Sequence, residues 1–164
     1  MDLDRFEQLR FLAEISATLL GFIAVFLILS NQRGRFSESD RHFVQAMISS
    51  GSMAVLAAII PSGLSLFVTG DLLWTIALAL AATLAVPAMF LQLKHQLVMS
   101  EEEAAKIHWG WHAAAWGMGL AAFALIVLGL IGLGDSDAMY VAAVSLIVVL
   151  ALWSFVSVVF RNFF

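Results

Sequence analysis

Glu14 stands in a run of otherwise uncharged residues from Phe11 to Gly21. A carboxyl group in an apolar medium needs a counter-charge, a proton or water. Arg10 and Thr18 lie four residues before and after it, so on a helix the three make one stripe. Such a stripe suits either of two tasks. It lines a polar path for ions or protons, or it is a boundary ion pair that serves packing. Ala13, Ala17 and Gly21 run beside it with small-xxx-small spacing, which lets another helix approach closely.

A second stripe follows. His42, Gln45, Ser49 and Ser52 recur at one helical face. These residues either line the inner part of the same path or hydrogen-bond to neighbouring helices as interhelical glue. Further on, Pro61 interrupts an apolar run and frees a backbone carbonyl. Ser62 and Ser65 lie next to it. If hydrocarbon begins near Phe11, Glu14 sits about 5 Å inside at ~1.5 Å per residue. That register makes the Pro61–Ser65 segment its expected partner.

The four histidines are His42, His95, His108 and His112. His108 and His112 are four apart, a spacing that permits two metal ligands on one helix face. With Glu101, Glu102 and Glu103 close by in sequence, a metal or pH-sensing site is one reading. Interfacial histidines beside tryptophan are the other. No third ligand has a fixed spacing, so the metal is left unassigned. There is no Ser/His/Asp motif, no Gly-rich phosphate loop and no His-Glu-x-x-His. No enzyme and no cofactor are expected.

The elements that carry these residues follow from composition. Of 164 residues, 62% are hydrophobic and 12% charged, against about 25% charged in soluble domains. Mean hydropathy is +0.98. The expected solvent for much of this surface is lipid. The absence of cysteine excludes disulfides and thiolate chemistry. A net charge of −4 with no basic run gives no sign of nucleic acid. Asp2, Asp4 and Glu7 stand where a signal peptide has basic residues, so the first helix is expected to be retained.

Five apolar segments reach the ~20 residues a bilayer demands. They are Phe11–Ser30, Phe43–Val68, Leu72–Leu93, Trp111–Leu133 and Ala138–Phe160, in one domain. They lack the alternation of barrel strands, so the expected fold is an all-α polytopic membrane bundle. Asp4-x-x-Glu7, Ser37–Asp40 and Ser100–Glu103 read as helix starts. Glu102 and Lys106 support an extension of the fourth helix from Glu101 to Leu133. Thr69-Gly70-Asp71 and the Gly132–Asp137 stretch read as tight turns between antiparallel helices. Pro61 and Pro87 fall inside helices. Ala77, Ala81 and Ala85 form one small-residue ridge; Ala113, Gly117 and Ala121 form another.

Six basic residues fall on one side of this bundle: Arg33, Arg35, Arg41, Lys94, Lys106 and Arg161. Two, Arg5 and Arg10, fall on the other. The positive-inside rule then predicts the N-terminus outside and the C-terminus in the cytoplasm. Trp109, Trp111, Trp116 and Trp153 are expected at the inner boundary, Trp74 and Tyr140 at the outer.

The stretch Leu12-Ala-Glu14-Ile-Ser-Ala-Thr-Leu-Leu-Gly21-Phe22, with Arg33-Gly-Arg35-Phe36-Ser37 and Asp40 after it, resembles the start of a group of small bacterial membrane proteins. That likeness covers about a quarter of the chain. It implies a bacterial inner-membrane location and no known activity. Ser16-Ala17, Leu19, Gly21-Phe22 and Val25 also resemble the pore helix of Orai-type calcium channels. Leu29 stands where that helix has its selectivity glutamate, so no site is carried over.

The favoured expectation is a small homo-oligomeric channel for an inorganic ion, with Glu14 and Thr18 lining or gating its outer part. A non-conducting protein that organises lipid or a partner complex is the alternative. A proton-coupled transporter is the third.

Overall fold

The computed structural model describes residues 2–32, 38–98, 102 and 109–163, apart from the side chains of 2–3, 29–32, 38–40 and 161–163. Among the described residues there are five long helices: α1 (Asp2–Gln32), α2 (Glu38–Leu64), α3 (Asp71–Val98), α4 (Trp109–Leu130) and α5 (Ser136–Phe163). All five are long and apolar enough to cross a membrane. Their outer surface is apolar too, with Phe22, Leu56, Phe90 and Leu120 all exposed.

The connections from α2 to α3 and from α4 to α5 are tight turns that reverse the chain. α4 ends in a Schellman motif. The Leu133 N–H donates to the Leu128 carbonyl, and the Gly132 N–H to that of Gly129. Gly132 takes φ +74° there, a conformation that costs glycine little and other residues more. Gly129 allows close approach instead. A Cβ on it would lie 2.8 Å from Leu78 on α3 and 3.2 Å from Met139 on α5.

α5 packs against all four other helices, while α1 lies along α2 and α5. At the end of the bundle where the chain starts, Leu9, Ala57, Trp74, Leu78, Tyr140 and Val144 form the largest core cluster. Ala54, Ala122, Ile147 and Val148 form a middle one. Ile23, Phe43, Met47 and Val158 close the opposite end. The small-residue ridges divide. Ala77, Ala81 and Ala85 are buried inside the chain; Ala113, Gly117 and Ala121 face outward.

Two expectations change. Trp74 and Tyr140 are core residues, at 4% and 0% exposure, rather than a boundary belt. Their rings pack on each other, and Trp74 packs on Phe6 as well. The Tyr140 hydroxyl donates to the Ala57 carbonyl, the group that Pro61, four residues on, leaves without its helical donor. And α1 starts at Asp2, so Asp4 and Glu7 lie within its first turns instead of capping a later start. The proposed start at 37–40 coincides with the start of α2 at Glu38; the one at 100–103 and the extension through Lys106 lie largely outside the described residues.

Candidate functional site

Polar side chains collect in two places, one outside the bundle and one within it. The first is the face of α1 that the other helices leave uncovered. Arg10 Nε donates to Glu14 Oε1 at 3.1 Å, and the Glu14 side chain is 64% exposed. The Thr18 hydroxyl donates to the Glu14 carbonyl at 2.8 Å. Glu7, Gly21, Val25 and Ile28 are exposed in the same way, and at 100° per residue they fall on the same line as Glu14. This face is therefore charged, then small, then apolar along its length. Ala17 and Gly21 lie open on it, and a Cβ on Gly21 would meet no atom within 4 Å. Ala13 alone of that ridge packs partly against the core.

The depth of Glu14 differs from the sequence register. Arg5 pairs with Asp137 of the first turn of α5 at 3.2 Å, which fixes that end of α1. Glu14 lies nine residues further in, about 13 Å along the axis. Its neighbours Leu12 and Ile15 pack against the middle cluster around Ala54. Pro61 is seven residues from Ala54, about 10 Å nearer the end. Glu14 therefore stands level with the middle of the bundle and not with the Pro61–Ser65 segment. Its partner is Arg10. The Ser65 hydroxyl donates to the Ser62 carbonyl on its own helix, and Tyr140 takes the carbonyl freed by Pro61.

The second place is a cavity of about 120 Å³ between α2, α3, α4 and α5. Its body is apolar, with Met53, Met89, Phe123 and Ile126 among the walls. Its polar cap lies towards the end where α3 stops and α4 begins, and includes His42, Gln92, Gln96, His112 and Trp116. Gln96 ties this cap together. Trp116 Nε1 donates to its Oε1 at 2.9 Å, and its own Nε2 lies 3.1 Å from His112 Nδ1. With that amide orientation the His112 Nδ1 accepts, which sets the proton of the neutral ring on Nε2. Just outside, Gln45 Nε2 lies 2.7 Å from His95 Nε2. His42 is different. It is 8% exposed, its ring sits 6.0 Å from that of His112, and its Nδ1 is buried without a hydrogen-bond partner among the described residues.

The α2 stripe is thus divided by its packing. His42 and Ser49 line the cavity, Gln45 turns to His95, and Ser52 is half-buried away from both. Among the described residues no three His, Asp or Glu side chains are grouped to hold a metal ion; His108 lies outside them. The ring nitrogens of His95 and His112 named above already face glutamine amides, which leaves less lone-pair capacity for a metal. Sequence reasoning passed over Gln92 and Gln96. Their signal was present, as two amides four residues apart in an apolar span. Ser16 was also missed as a packing feature: it is fully buried on α1 with no partner for its hydroxyl.

No family model, curated protein or solved structure matches this chain.

Proposed function

We propose that this chain is an integral membrane protein whose copies assemble with α1 turned inward, around an ion-conducting path lined by Glu14 and Thr18. One observation carries the reading. An ion pair 64% exposed at Glu14 stands at mid-bundle level on the uncovered face of α1. Against hydrocarbon it would lack the water or protein that charged groups require there. Other copies of the same face supply both, and the open Ala17 and Gly21 let helices come close. Towards the other end Val25 and Ile28 continue the same line, an apolar stretch of the kind that gates by dewetting. The path follows α1 alone, since Ser49 faces the inner cavity and Ser62 and Ser65 lie near the bundle end.

The split of basic residues supports an N-terminus outside and a C-terminus in the cytoplasm of a bacterial inner membrane. The exposed Ala113, Gly117 and Ala121 ridge favours one alternative, a non-conducting protein that docks a partner helix on α4.

The chain has no native cysteine, so single-cysteine variants give a clean test. Ala17→Cys and Gly21→Cys should cross-link between copies in liposomes on oxidation, while Leu80→Cys on the exposed side of α3 should not. Cation flux through wild-type liposomes should fall in Glu14→Ala. A chain that stays monomeric in lipid, or liposomes with no flux above empty ones, would remove the basis of this reading.

A further inference from the structure

We propose that the cavity inside α2–α5 takes up the methyl end of a lipid hydrocarbon chain, which enters from the bilayer beside α3. The inference rests on the membrane reading above and not on the assembly through α1. Depth comes first. Met53, Ala122 and Ile147 belong both to the cavity wall and to the middle cluster of the core. The void thus runs from the polar cap at the bundle end to mid-bundle level. In a bilayer that is the depth of the hydrocarbon centre, where lipid chains end. Access comes next. The cavity is open on part of its boundary. Its lining residues Ala88 and Met89 on α3 are only half-buried, and their neighbours Val86, Phe90 and Leu91 are exposed. What covers that apolar surface is what meets the opening. The gap has a cause in the sequence, since Ala85, Ala88, Ala115 and Gly119 put no long side chain into it.

The wall selects an apolar occupant. Nearly all of the surface that the void meets is apolar. Most of its polar side chains are satisfied elsewhere. Ser50 and Ser154 donate to carbonyls of their own helices. Gln96, His112 and Trp116 bond to one another. The His42 Nδ1 has almost no accessible surface and cannot reach an occupant. Ser49, Gln92 and the second amide N–H of Gln96 are left. These groups cannot give water its two to four partners through the body of the void. A void left empty would forfeit dispersion contacts for the atoms that line it. The volume is about 120 Å³, against ~150 Å³ for an apolar cavity that admits benzene in another protein. On that scale it takes about five carbons of a chain, so the rest of the lipid stays outside.

Ile126 and Ile147 line the cavity and are 1% and 5% exposed, so a chain reaches them only from inside it. Full-length protein would be placed in phosphatidylcholine nanodiscs. One lipid chain carries a diazirine near its methyl end or, in a second batch, near its carboxyl end. Light converts the diazirine to a carbene that inserts into the nearest C–H bond, and peptide mass spectrometry locates the adduct. We expect the methyl-end probe to mark Ile126 and Ile147 as well as the exposed Phe90 and Leu120. The carboxyl-end probe should leave the two isoleucines unmarked. Gly119 lines the cavity and Gly117 does not, and a Cβ built on either meets no atom within 4 Å. Gly119→Leu should lower the isoleucine adducts by about tenfold or more, because leucine takes the space the chain needs. Gly117→Leu should keep them. Adducts confined to the exposed residues would overturn the site and leave the membrane reading intact. Adducts at none of these positions would overturn the membrane reading, and the inference with it. Isoleucine adducts that persist in Gly119→Leu, or that form equally with both probes, would also overturn the proposal. If Gly119→Leu fails to fold, the two probes on the wild type still decide.

Discussion

On α1 the polar side chains are a guanidinium and a carboxylate, and they point away from the rest of the chain. Between α2, α3 and α4 they are amides, imidazoles and an indole, and they point at one another. The difference follows from what surrounds each set. A salt bridge enclosed by other helices must overcome the desolvation of both ions. Neutral groups can be enclosed if their hydrogen bonds are met, and Gln96, His112 and Trp116 meet theirs in one another. The outward pair thus asks for something beyond one copy of the chain. The inward network meets its needs within one copy.

The largest effect that separates the two regions is on flux. Glu14→Ala should lower cation flux by about tenfold or more, because a pore-facing carboxylate concentrates cations at the narrow part. His42→Phe should leave flux within about twofold. Liposome flux assays on both variants test the division, and a reversed order would break it. Stability comes next. Gly129→Ala places a methyl group against Leu78 and Met139 and should lower stability by about 1–3 kcal/mol. The loss should appear in denaturant unfolding and as faster hydrogen exchange in α3, α4 and α5. Tyr140→Phe leaves the Ala57 carbonyl unpaired in the core and should cost about 1 kcal/mol in the same unfolding assay. The smallest effect belongs to α1. Arg5→Gln removes a part-buried ion pair at the bundle end, worth about 1 kcal/mol. It should raise exchange in the first turns of α1 while the cavity helices stay protected. Equal rises in all five helices would show that α1 is not a separable element.

The five helices were legible because hydropathy and turn residues are local signals. The expected spans lie within the observed helices at almost every position, and the turn at Gly132 was readable from its glycines. Two things were not legible. The depth of Glu14 depended on where α1 begins. Asp2, Asp4, Glu7 and Arg10 suggested chain outside the bundle, yet Phe6 and Leu9 between them bury against Trp74 and Tyr140. An amphipathic first turn can carry charges on one side and still belong to the core. The cavity was out of reach for another reason. Its walls come from four helices, and a void is a property of their packing and not of any one helix. The α2 stripe showed which residues are polar but not that Gln45 and Ser49 would face different neighbours.

Tyr140 and Pro61 set a condition on how the chain is assembled. A membrane chain is inserted in the order in which it is made, and α2 enters well before α5 exists. Until then the Ala57 carbonyl has no donor from its own helix, since Pro61 has removed it. Its donor arrives only with Tyr140, near the start of the last helix. That helix also touches every other one. The bundle therefore gains its central post last, and a chain cut after α4 would keep four apolar helices and lose the group that completes the second.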